Sequence, residues 1–195
     1  MTPTLRKLNL TAHLSCSIGW LGAVASFLVL SVAGLTSQNT GIVRSAYLSM
    51  NLIGQFIIVP LSLAALLTGL IQSLGTHWGL FRHYWVSVKF VLTILAIIIL
   101  LLHQFTAVEG AARSVMGSTA GTLPEVGKLG TQLVTDAGAA LLVLLVITAL
   151  GVFKPWGRTG DGFPLGLKVL LALAGLLVAV FVILHLTGHS LHSDH

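Results

Sequence analysis

Charged side chains are absent from residues 8–43, 45–81, 90–108, 137–153 and 169–193, and Leu, Val, Ile, Ala and Gly dominate each of these stretches. A helix crossing a hydrocarbon layer of roughly 30 Å needs about 20 apolar residues, so each stretch is long enough to span it. Within lipid every backbone N–H and C=O must find its partner inside the segment, which selects helix. The ten-residue alternations of a closed barrel are missing. The pattern predicts five helices, at 10–35, 46–74, 84–106, 132–153 and 164–188. Together they form a single all-α, polytopic transmembrane helix bundle over residues 1–195. The connection 36–45 is short and polar. The stretch 107–130, with Gly110, Gly117, Gly121, Pro124, Gly127 and Gly130, reads as an exposed Gly-rich loop. Pro155 and Gly157 stop the fourth helix.

Composition agrees with this reading and narrows it. Of 195 residues, 55% are hydrophobic and 8% charged, against about 25% charged in a soluble domain. The formal net charge of +5 does not point to nucleic acid, because the basic residues stand singly between apolar runs. They report topology instead. With the N terminus inside, Arg6, Lys7, Arg82, Lys89, Lys154, Arg158 and Lys168 lie at the cytoplasmic face, leaving Arg44, Arg113 and Lys128 outside. The expected orientation is therefore N-in and C-out. Ser31-Val32-Ala33 resembles a leader-cleavage site, but the first apolar run is longer than a leader's core and contains His13 and Trp20. It reads as a retained helix. The single cysteine, Cys16, excludes an internal disulfide. Ser15, Gly19, Gly22 and Ser26, and likewise Ser62, Gly69, Ser73 and Thr76, form small-residue stripes of the kind that lets helices pack closely. Pro60 should bend the second helix.

Ionisable groups inside lipid are costly, which makes each one a functional candidate. Here most are histidines. Trp85, Lys89, Ala96 and His103 fall within about 40° of one face of the third helix, whereas His83 points to the opposite side. His13 and Trp20, seven residues apart, share a face of the first helix. His185, His189 and His192, spaced by four and three, stack if the fifth helix persists beyond Gly188. Imidazoles so spaced can bind copper or zinc, and a single imidazole can ligate haem iron. Each also has a plain structural reading: a hydrogen bond to a carbonyl for His13 and His103, and a solvated tail for the C-terminal set. Asp136 can act as acceptor for an outer histidine or as a cap. Lys89 either snorkels to the interface or holds a haem propionate or a quinone headgroup.

The run Leu10-Thr-Ala-His13 through Gly19-Trp20-Leu-Gly22, then Val59-Pro60-Leu, Leu67-Thr68-Gly69 and Ser73-Leu-Gly-Thr76, then Trp78 to Trp85, Lys89 and Leu100-Leu-Leu-His103, resembles a family of small uncharacterised bacterial inner-membrane proteins. The resemblance covers residues 8–105. More loosely, the first-helix His with Trp and Gly, and the third-helix Trp, Lys and terminal His, resemble copper-resistance-D-type proteins and the haem-containing membrane protoporphyrinogen oxidases. That likeness implies a histidine-bound b-type haem, at His13 or His103. The interval of fourteen residues from Lys89 to His103 is longer than in those oxidases, so no catalytic role is carried over.

Three functional readings follow. In the first, haem b is held by transmembrane histidines in an electron-transfer role, drawing on His13, His83, His103, His185 and Lys89. Under the expected topology His13 and His103 lie on opposite sides of the membrane and serve different sites, His13 with His83 or His77, and His103 with His185 or His189. In the second, His103, His185, His189 and His192 bind copper or zinc at the outer face, His185, His189 and His192 being the core of the set. In the third, the chain is a colourless scaffold in a homo-oligomer or larger membrane complex. HExxH and GxSxG are absent, so hydrolase chemistry is not indicated.

Overall fold

The computed structural model describes residues 2–75, 83–117 and 127–153. The predicted fifth helix, 164–188, lies outside the described residues, as do His77, His185, His189 and His192. The described chain is all-α. Helix α1 covers Pro3–Thr36 and α2 Thr40–Ile53; a π turn at Gly54–Ile58 leads without a break into α3, Val59–Leu74. Helix α4, Tyr84–His103, runs through a second π turn, Gln104–Val108, into α5, Glu109–Gly117, and α6 covers Gly127–Phe153. Joined across their π turns, these segments make four helices long and apolar enough to cross a membrane: Pro3–Thr36, Thr40–Leu74, Tyr84–Gly117 and Gly127–Phe153.

Local sequence explains the breaks. Thr2 caps α1 ahead of Pro3, a residue suited to the first helical position because it has no N–H to satisfy. Asn39 starts α2 by accepting hydrogen bonds from Gly41 N (2.9 Å) and Ile42 N (3.2 Å). Since an N-cap of this kind contributes about 1 kcal/mol, Asn39→Ala should lower the denaturation midpoint measurably while leaving the fold intact. Pro60 has no N–H, and its ring conflicts with the carbonyl four residues back. The wide turn just before it relaxes that conflict and lets the helix continue into α3.

One correction concerns the predicted loop 107–130. Helix continues through the second π turn to Gly117 and resumes at Gly127. Ala107, Val108, Ala111, Ala112 and Val115 are all buried, with α5 packed on α2. The glycine content suggested a loop, but the apolar face of 107–115 buries well enough to hold the helix.

Helix α1 packs on α2, α3 and α6, and α4 bridges α3 and α6. The core contains Trp20, Val24, Phe27, Tyr47, Met50, Ile58, Ile97, Leu133 and Leu144. Outward positions such as Leu8, Ile18, Phe56, Leu142 and Val152 are exposed and apolar, the surface a bilayer covers. The two small-residue stripes behave differently. On α3, Ser62 and Ser73 are buried and Gly69 lies against the His13 ring. On α1, Gly19 meets Leu61, but Ser15, Gly22 and Ser26 are exposed. Helix α1 instead buries its Trp20, Val24, Phe27, Ser31 and Gly34 face.

Candidate functional site

Polar groups gather at two levels of the bundle. The first level lies where the start of α1 meets the end of α3, the start of α4 and the end of α6. A cavity of about 590 Å³ opens there, with His13, Lys89, Arg6, Trp20, Trp85 and Gln72 among its lining residues. Its walls are mostly apolar and its ionisable groups basic, within the size range of small-ligand and cofactor sites. His13 Nδ1 lies 3.1 Å from the Ala65 carbonyl and 3.1 Å from Thr68 Oγ1. The Thr68 hydroxyl donates its own hydrogen to Ala64 O, 2.6 Å away. Both neighbours of Nδ1 are therefore acceptors, and Nδ1 carries the proton. The remaining nitrogen, Nε2, keeps its lone pair, the arrangement in which a histidine serves as a metal ligand.

Two glycines provide the clearance. A Cβ at Gly69 would stand 3.0 Å from His13 Cε1, and one at Gly151 would stand 2.7 Å from Lys89 Nζ. Asn9 ties α1 to the end of α3 by donating to Thr68 O (3.0 Å) and Gln72 Oε1 (2.8 Å), so the helix turn that supports His13 is itself anchored. Trp85 and Lys89 both line the cavity, four residues apart on α4. His83 is half-buried beside Trp85, their ring centroids 6.4 Å apart.

The second level is fourteen residues further along α4, about 21 Å at helical rise. His103 is 8% exposed. Its Nδ1 lies 3.0 Å from Ile99 O and its Nε2 2.9 Å from Asp136 Oδ2 on α6. Asp136 thus meets an imidazole, as one of its two readings anticipated. Gln132 Nε2 stands 3.5 Å from His103 Nε2.

Between α2 and α4 the two π turns face each other. Gln104, 1% exposed, donates to Asn51 Oδ1 at 3.1 Å, and Gln55 donates to Glu109 Oε1 at 3.3 Å. Gly54 leaves the space that the Gln104 carboxamide fills. The π turn, with its longer i to i+5 repeat, stacks Glu109 over Gln104, so both reach the same neighbouring helix. Asn51, Gln55 and Gln104 are residues that the sequence reading missed. The available signal was three carboxamides within otherwise apolar runs.

His13 and Lys89 are thus brought to one cavity, and His103 is placed apart from it. Neither a protein-family model, nor a curated protein, nor a solved structure matches the chain.

Proposed function

We propose that the chain is a five-helix, N-in and C-out protein of a bacterial inner membrane that binds b-type haem in the His13 cavity and serves electron transfer. The observation that carries this reading is the orientation of His13: Nδ1 is committed to two acceptors, and Nε2 is left with its lone pair at an apolar cavity. Haem would supply one-electron redox chemistry. The chain's own residues would position it. His13 would hold the iron, Arg6 and Lys89 would neutralise the acidic side chains of the macrocycle, and Trp20 and Trp85 would exclude water. His103 has no part in this site, because both of its ring nitrogens already face acceptors.

The test is a reduced-minus-oxidised visible spectrum of the detergent-purified protein expressed with ample haem. We expect a Soret shift and a sharp alpha band, lost in His13→Ala, weakened in Gly69→Val where the new side chain displaces the imidazole, and retained in His103→Ala. A featureless wild-type spectrum retires the reading.

One observation favours the accessory-subunit alternative, which is that the Ser15, Gly22 and Ser26 stripe on α1, of the kind that packs helices closely, is exposed. Stoichiometric partners on a colourless protein would support it. The copper or zinc reading rests on His103 together with His185, His189 and His192, and the last three lie outside the described residues.

A further inference from the structure

His103 and Asp136 lie within helices that cross the bundle, with the imidazole 10% and the carboxyl 18% exposed. A buried ion pair seldom stabilises a fold more than apolar side chains of the same volume do, so packing alone does not account for this one. The donor and acceptor inventory is more informative. The Ile99 carbonyl can only accept, so His103 Nδ1 carries a hydrogen. On the other side, Nε2 and Asp136 Oδ2 are 2.9 Å apart. Two lone pairs this close, with Oδ2 buried, would repel, so one of the two atoms carries a proton, whether nitrogen or oxygen.

We propose that His103 and Asp136 form an exchangeable one-proton site in the half of the bundle opposite the His13 cavity. The protonated pair is neutral overall. On release, the Nε2–H bond breaks and the proton passes to the buried Asp136 Oδ2, and from there, as the carboxyl group turns, to water at that end, the Asp136 side chain being the more exposed of the two. A neutral imidazole remains, still donating from Nδ1 to Ile99, beside the Asp136 carboxylate, and the pair carries one negative charge. Uptake reverses these steps. Gln132 from α6, 3.5 Å away, can donate to Nε2 once that nitrogen has lost its proton. Among the described residues, the other ionisable groups on the surrounding elements at this end of the bundle are Tyr47 and exposed Arg44 on α2, Glu109 and Arg113 on α5, which are 2.8 Å apart, and exposed Lys128 on α6; Tyr84 and Lys89 lie at the far end of α4. The site stands on this geometry and does not require a haem.

The experiment uses the full chain in lipid nanodiscs without added cofactor, carrying ¹⁵N-histidine and ¹³C-carboxyl aspartate. His103→Gln and Asp136→Asn identify the signals by loss. The expected result is one proton on the pair, seen on the ring by NMR or on the carboxyl by infrared, released in a single step as pH rises. In Asp136→Asn the proton affinity of the ring should fall by roughly 10- to 1,000-fold, since an opposing charge in contact is removed. Asp136→Glu should recover most of it, which guards against a mere folding defect. If the His103 titration is the same in Asp136→Asn as in the wild type, or if the pair keeps one protonation state from mildly acid to alkaline pH, the proposal fails.

Discussion

Tyr47→Ala is expected to destabilise the bundle by about 3–5 kcal/mol, the range for truncating a large buried ring. Tyr47 is 1% exposed and lies between two glycines from different helices. On the α1 side, a Cβ at Gly34 would be 3.1 Å from the ring. On the α6 side, a Cβ at Gly130 would be 2.6 Å from the hydroxyl oxygen. With no side chain on either glycine, little can move into the space the ring leaves, and helices in lipid associate chiefly through such van der Waals contact. The ring itself is what matters here. Tyr47 Oη is buried with no hydrogen-bond partner among the described residues, so Tyr47→Phe should be neutral or slightly stabilising. Gly130→Leu should be as damaging as Tyr47→Ala, since it drives a side chain into the hydroxyl and into Leu35. The double variant Gly130→Leu with Tyr47→Ala should recover part of the loss, giving a coupling well outside additivity. Denaturant titration in detergent micelles measures all four. Equal losses for Tyr47→Phe and Tyr47→Ala would refute the packing account.

Gly54→Val is the other substitution expected to have a large effect, at about 3–5 kcal/mol. A side chain at Gly54 occupies the place of the Gln104 carboxamide. The carboxamide must leave, which breaks its bond to Asn51 and strands two polar groups in an apolar interior, at about 1–3 kcal/mol each. Overpacking adds a further cost of about 1–3 kcal/mol, which local relaxation would partly relieve. If this is the mechanism, Gln104→Ala should relieve the Gly54→Val defect, although Gln104→Ala alone is destabilising because it leaves Asn51 unpaired. If the Gly54→Val loss is unchanged in the Gln104→Ala background, the two π turns do not interlock as described.

Much of this architecture was readable along the chain. A spanning helix satisfies its own backbone, so length and apolarity suffice to reveal it, and the four described spans fall where charge-free stretches predicted them. The stripe of Trp85, Lys89, Ala96 and His103 was legible for the same reason, because residues on one helix keep their angular relation whatever the neighbours do. The apolar face of 107–115 was present too, but its glycines obscured it. A glycine lowers helix propensity by a fixed local amount, whereas burial against α2 acts through a partner remote in sequence.

Which stripe would be used was a different question. Ser15, Gly22 and Ser26 had the spacing of a seam, yet α1 packs through Trp20, Phe27 and Gly34, since a seam depends on the shape of what lies opposite. The π turns were equally hidden, each being one residue's difference in a hydrogen-bond ladder, set by Pro60 in one case and by the reach of Gln104 to Asn51 in the other. The sequence by itself determined that this is an all-α chain with membrane-length helices and that its scarce polar residues occupy defined helix faces. Only the tertiary structure decided that His13 shares a cavity with Lys89 while His103 is paired with Asp136, because helix faces are local properties and their meeting across helices is fixed by packing.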